Sequence, residues 1–448
     1  MKKELEINES LSEERIKNYE KAYNKNKTNI VVKNALSRGP ISSIVNVNEA
    51  LLPLQMNFNV EVKTMEVCDQ ENSGRCWIFA GLNVLREEIA KKLNVKSFEL
   101  SQNYIAFFDK LEKTNYALCS IIDLLDEKPD DRVLMHILSN AISDGGQWDM
   151  LTSLINKYGL CPKYVMNETF ASGHTQECNQ LINFNIRIFA SEAKKLHEAK
   201  EDEKISALKD KFMDKVYSLL CNCFGVPPKK FEFEYTNADG KYFVKKYTPM
   251  SFFTTYIGDT LNEYVSIINS PTKDKPFNKT YTISYLGNVV EGKKIQHLNV
   301  SMDRLKELVV AQLSAGSPVW FGSDVSFYRN RTTYVWDTDS LNYEAAFGFD
   351  TMEEKSTLLD YHASVMNHAM VITGVNLVKN KPTKWKIENS WGTNLGKAGY
   401  FIMSAKWFDS FTYQAVIKKE FLNEIERAAL NEESTVLAPW DPMGTLAD

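Results

Sequence analysis

Gln70-Glu71-Asn72-Ser73-Gly74-Arg75-Cys76-Trp77-Ile78-Phe79 sets a side-chain amide six positions ahead of a thiol, and an amphipathic helix is expected to begin at the thiol. A helix N-terminus carries partial positive charge and N–H donors that lack intrahelical partners, so a cysteine placed there is biased toward thiolate, the form that attacks carbonyl carbon. Ile78, Leu82, Leu85, Ile89 and Leu93 recur every three to four residues and supply the apolar stripe that fixes such a helix. The stretch therefore reads as a nucleophile on a rigid element, with Gln70 as a candidate oxyanion donor.

The rest of the 448-residue chain is long enough for two or three domains' worth of core, and 44% hydrophobic with 25% charged residues places it among globular rather than disordered proteins. Its first residues lack the apolar run of a signal peptide, and no later segment reaches a membrane-spanning length, so a cytoplasmic protein without membrane association is expected. Seven scattered cysteines are odd in number and too dilute for a disulfide framework. Cys221-Asn222-Cys223 is too closely spaced for a zinc site, and no metal or cofactor is called for. A net charge of −5 argues against nucleic acid as the main partner.

Along the chain, Ser10-Leu11-Ser12-Glu13 has a capping-box pattern and opens an amphipathic helix over 10–25. Phe58 to Val67 is strand-prone, helical periodicity dominates from Cys76 to about 160, and 180–224 reads as helix with a solvated charged face. After Gly225-Val226-Pro227-Pro228, aromatic and polar residues alternate over Phe231–Tyr247 and Thr280–Val290, as strands do. A helix is expected over Met302–Ala315, followed by a buried strand at 318–322.

A cysteine nucleophile needs a base, and six histidines are available: His136, His174, His197, His297, His362 and His368. His368 heads an apolar strand, Ala369-Met370-Val371-Ile372-Thr373-Gly374, which would hold an imidazole at a sheet edge; His362 is its nearest rival. The second ring nitrogen needs an orienting partner, and Asn389 is the candidate, because Trp385, Ile387 and Asn389 alternate onto one strand face. Trp391 continues that face and would shield the Asn–His hydrogen bond from water.

Gln70, Cys76, His368 and Asn389-Ser390-Trp391-Gly392 together resemble the papain-like cysteine peptidases in order and type. Further motifs narrow the resemblance to the bleomycin hydrolase and bacterial aminopeptidase C family: Gly74-Arg75-Cys76-Trp77, Asp144-Gly145-Gly146-Gln147-Trp148-Asp149-Met150, Trp320-Phe321-Gly322-Ser323-Asp324-Val325, Asn367-His368-Ala369-Met370 and Ala438-Pro439-Trp440-Asp441-Pro442-Met443-Gly444. The resemblance implies an α+β, two-lobed fold, a helical lobe and a β-barrel-like lobe with large helical and hook insertions. Cys76 and His368 are roughly 290 positions apart, about twice the separation in a minimal papain-like domain. The implied organisation is an N-terminal helical arm (1–60), a helical catalytic lobe with Cys76 (61–160), an inserted helical and hook region (161–290), a β-rich lobe with His368 and Asn389 (291–430), and a C-terminal arm entering the cleft (431–448).

The same resemblance implies peptide substrates, paired glycines Gly145 and Gly146 lining the non-primed side of the cleft, and a homohexamer with sites facing a central chamber. It also implies that the arm meets the substrate's α-ammonium through a terminal carboxylate and so limits cleavage to the first residue. Many relatives end at the position of Ala447, whereas Asp448 adds one residue here, which is either trimmed or shifts this ruler. A cysteine aminopeptidase of broad specificity is the expected activity; an endopeptidase on the same scaffold and a non-catalytic oligomeric binding protein are the alternatives.

Overall fold

The computed structural model describes residues 10–349 and 351–447. The chain divides into two compact units. Residues 10–53 form the smaller one with the described residues of 338–352. Its first helix, Glu13–Lys25, starts one step later than the capping-box reading: Ser12 is the N-cap and accepts from the Arg15 amide. The two segments are joined by an antiparallel bridge between Asn46 and Leu341, with Val47 N donating to Ser340 O at 2.9 Å and Asn342 N to Val45 O at 2.8 Å.

The larger unit, 54–337 and 353–447 of the described residues, is α+β. Twelve strands form one mixed sheet among the described residues. At its centre Val319–Ser323 pairs with His368–Val378, which pairs with Lys381–Glu388 and through it with Tyr400–Ser404, all antiparallel. On the other side Thr412–Lys418 joins Val319–Ser323 and leads to Tyr264–Ile268, His297–Asn299 and Lys279–Ile283. The sheet thus draws Tyr264–Ile268 and Lys279–Ile283 from the segment 161–290, which also holds the helical pair Gln176–Glu198 and Glu203–Phe224 and the hairpin Phe231–Thr236/Tyr242–Tyr247.

Two strand expectations shorten for identifiable reasons. Of Phe58 to Val67 only Val60–Glu61 is strand, paired with Val375 and Gly374. Beyond Val62, whose amide still donates to Thr373 O, the backbone is held by side chains, Met65 N donating to Glu87 Oε1 and Glu66 O accepting from Arg86 Nη2, each at 2.9 Å. The strand Lys279–Ile283 stops where Tyr285 turns to φ 54°, a left-handed conformation that ends a ladder.

The helix Cys76–Leu93 packs on the strand His368–Val378. Its apolar stripe is buried as expected, but so are Asn83, Arg86 and Glu87 on the face that reads as polar. Those side chains are not solvated: Arg86 Nη2 and Asn83 Nδ2 meet Glu388 Oε1 at 3.1 and 2.9 Å. A buried charge is tolerated when it is paired and hydrogen-bonded. This cluster ties the helix to the last residue of the strand that precedes Asn389. The turn Lys379-Asn380 joins the two long strands with both residues at positive φ, the two-residue hairpin geometry that matches strand twist. His368 and Asn389 consequently emerge at the same end of the hairpin.

Candidate active site

Cys76 is the first residue of its helix and fully buried. The first turn's N–H groups lie outside the helix's own ladder and aim its dipole at the region in front of the thiol. The Ala369 amide donates to Cys76 Sγ at 3.4 Å, which sets the residue after His368 against the sulfur. His368 is the first residue of its strand and pairs in register with Ser323.

The histidine's environment fixes its tautomer. His368 Nε2 lies 2.9 Å from Asn389 Oδ1, and that oxygen, which only accepts, also takes the Ser390 amide at 2.8 Å. Nε2 therefore donates, and in the neutral ring Nδ1 keeps its lone pair. The Trp391 ring stacks on the imidazole with centroids 4.9 Å apart and planes 27° apart. Burial pulls the imidazole down to about 4, against the opposing effect of its hydrogen bond to Asn389. An imidazolium here needs a companion negative charge, which a thiolate supplies.

Gln70 is held from both directions. Its amide donates to Ser390 O at 2.9 Å and its Nε2 to Ser73 O at 2.6 Å, while Ser390 Oγ donates to its Oε1 at 2.5 Å. An antiparallel bridge between Asp69 and Trp391 continues this pairing. The amide of residue 70 and the Asn389-Ser390-Trp391 segment are thus built as one piece. Arg75 closes the loop in front of the thiol, with Nη1 on Glu168 Oε2 and Nε on Ser73 Oγ, each at 2.9 Å.

Gly145 and Gly146, expected as one wall of the cleft, lie on the same side as Cys76. Gly145 O accepts from Lys113 Nζ at 2.6 Å, and Gly146 lies directly on the Trp77 indole. Gly146 N donates to Ala447 O at 3.1 Å in an antiparallel bridge, so the C-terminal segment lies along this wall with Ala447 fully buried. Gln147 Nε2 donates to Thr445 O at 2.8 Å, and Asp441 pairs with Lys275 at 2.9 Å, which anchor the arm before it enters. Met366 and Asn367 share a cavity of about 570 Å³ with Thr445 and Leu446, so the arm runs beside the segment that leads into His368. Asp448 lies outside the described residues.

The other histidines are engaged elsewhere. His197 sits between Asp126 and Asp202 at 3.0 and 2.8 Å, and His174 takes Phe170 O and Asn72 at 3.0 Å. His297 is buried against Ser266 Oγ at 2.7 Å, and His136 lies edge-on to Trp440. His362, the rival, is an exposed residue at φ 52° on the rim of the same cavity as Asn367. Cys68, close to the loop, meets Arg86 Nη1 at 3.1 Å and has its thiol pushed up to about 12 by burial, so it packs and does not react.

Three residues with evident roles in building the site carry no role in the sequence reading, although each lies inside a quoted motif. Ser390 locks Gln70. Asp324 accepts from Asn367 Nδ2 at 2.7 Å and Ser364 Oγ at 2.6 Å, which steadies the residue before His368. Asp144 accepts from the Gly74 amide at 2.9 Å, and its main-chain oxygen from Trp77 Nε1 at 2.6 Å.

Comparison with known proteins agrees with this arrangement. The Peptidase C1-like family matches residues 10–444. The chain is 42% identical to Aminopeptidase C of Listeria monocytogenes over 98% of its length and 99% of the relative's, and 36% identical to human bleomycin hydrolase over 85% of its length and 86% of that protein's. It superposes on the crystal structure of PepW from Lactobacillus rhamnosis HN001 with a TM-score of 0.95 at 41% identity, covering 98% of this chain and 99% of that one. The fold is therefore papain-like, and the chain is a cysteine peptidase that belongs to the Peptidase C1-like family, in the branch of bleomycin hydrolase and aminopeptidase C.

Proposed function

We propose that the chain is a cytoplasmic aminopeptidase of broad specificity that removes N-terminal residues from peptides through a thioester on Cys76. The observation that carries the reading is the C-terminal segment against the cleft wall, Ala447 O on Gly146 N at 3.1 Å. A strand-like segment there occupies the place where substrate residues on the amino side of the scissile bond would pair. Room then remains for about one residue before the bond, which limits cleavage to the first residue.

Chemistry follows from the residues. His368 Nδ1 takes the thiol proton as Cys76 Sγ forms a bond to the substrate carbonyl carbon, and the carbonyl's electron pair moves onto oxygen. Gln70 Nε2 and the Cys76 amide stabilise that oxyanion. The imidazolium returns its proton to the leaving amine as the C–N bond breaks, and water activated by the same ring then cleaves the thioester. Asn389 holds the ring throughout and Trp391 keeps water from their bond. We further propose a homohexamer with the sites facing a central chamber; a mass in solution near six times 51.3 kDa is expected.

A decapeptide with a free amine and its N-acetylated twin discriminate the readings. Sequential shortening of the first with the second intact is expected; internal cleavage of both would replace the aminopeptidase with an endopeptidase. Deleting 438–448 should shift cleavage toward the acetylated peptide.

A further inference from the structure

Asp144 is buried in the loop that leads to Gly145 and Gly146, and its bonds reach the loop in front of Cys76. Oδ2 accepts from the Gly74 amide, two residues before Cys76, at 2.9 Å, and from Thr175 Oγ1. Oδ1 accepts from Asn179 Nδ2 at 2.9 Å and from Lys110 Nζ. The main-chain oxygen takes Trp77 Nε1 at 2.6 Å, and Trp77 is the ring on which Gly146 rests. The foundations of this cluster lie away from the cleft: Lys110 is in the helix Gln102–Asp123, and Thr175 and Asn179 are at the start of Gln176–Glu198. Burial opposes the ionised carboxylate, but Lys110 and the hydrogen bonds outweigh it and hold the group well below the usual carboxylate range.

We propose that Asp144 is a positioning residue that sets the spacing between the loop carrying Gln70 and Cys76 and the wall carrying Gly146, by tying Gly74 and Trp77 to one carboxyl-bearing residue. An ordinary buried ion pair would join two elements for stability alone. This one joins the loop in front of the nucleophile to the residues expected to line the cleft beside it. Its neighbours reinforce the wall: Lys113 Nζ holds Gly145 O at 2.6 Å and Ser143 O at 3.2 Å. Misplacing reacting groups by about 1 Å costs on the order of 100-fold in rate.

The inference rests on the aminopeptidase reading and is tested on the full-length enzyme with Asp144→Asn and the milder Thr175→Val, which removes one donor to Oδ2. Active thiols are counted by iodoacetamide titration, and kcat per titrated thiol and KM are measured with a free-amine anilide. For Asp144→Asn, kcat per thiol should fall on the order of 100-fold. For Thr175→Val it should fall about tenfold, with the thiol still titrated and KM changed little. If both variants lose titratable thiol or melting temperature while kcat per thiol stays at the wild-type value, Asp144 is structural only and the proposal fails. A wild-type enzyme that ignores iodoacetamide or the anilide would instead defeat the underlying aminopeptidase reading.

Discussion

Gly146→Ala tests the cleft wall with one methyl group. A Cβ at this position would stand 2.3 Å from Trp77 Cε2 and 2.5 Å from Cδ2 and Cζ2, against about 3.5–4.0 Å for relaxed carbon contacts. Trp77 has no room to retreat, because it is fully buried and its indole N–H is held by Asp144 O at 2.6 Å. The backbone at 146 must therefore move outward by roughly 1 Å or more. Its bond to Ala447 O, now 3.1 Å, would open to about 4 Å, beyond hydrogen-bonding range. Overpacking costs about 1–3 kcal/mol and the lost bond about 1 kcal/mol more. The variant should melt at lower temperature, and its kcat/KM on a free-amine anilide should fall on the order of 100-fold. Its preference for free-amine over N-acetylated substrate should also narrow, since the arm has lost its seat. Wild-type kcat/KM with an unchanged preference would refute the placement of both wall and arm.

Three further outcomes follow from the same geometry. Gln70→Ala should lower kcat about 10²- to 10³-fold, near 3 kcal/mol of barrier, while iodoacetamide still titrates Cys76. Asn389→Ala should cost about 100-fold in kcat with little change in KM, because the ring loses the acceptor that fixes its tautomer. His368 is neutral in the fold down to about 4, whereas an unfolded chain protonates it near 6.5. Its contribution is complete above about pH 6.5 and is lost as pH falls through 4, amounting to about 3 kcal/mol. Melting temperatures of wild type and His368→Gln measured across that range should therefore converge on acidification, and parallel curves would contradict the assignment.

The chemistry was more legible in the chain than the scaffold that holds it. Cys76, His368 and Asn389 each announce themselves by local context: a helix start, the head of an apolar strand, an amide beyond a strand's end. The two-residue turn at Lys379-Asn380 then makes the approach of His368 and Asn389 a local matter, since a hairpin brings its ends together. What local pattern could not supply was tertiary pairing. Arg86 reads as a solvated helix residue and becomes buried only because Glu388, some 300 positions away, ends the strand beneath it. Asp144 has no role in the sequence reading, and its link to Lys110 and Gly74 exists only once three separate elements meet. The bridge from Asn46 to Leu341 joins positions some 300 residues apart and has no period to betray it. Val62 to Val67 has strand propensity, yet past Val62 side chains of the central helix hold the backbone at Met65 and Glu66 instead of a neighbouring strand.

The central claim is that Cys76 carries an acyl group one residue long. Acid-quenching the enzyme during turnover of an equimolar mixture of an amino-acid ester and a dipeptide ester, followed by intact-mass and peptide mapping, reads both parts at once. The account predicts a single aminoacyl adduct on the peptide containing Cys76, released by hydroxylamine and absent from Cys76→Ala. A dipeptidyl adduct in comparable yield, or an adduct elsewhere on the chain, would contradict it.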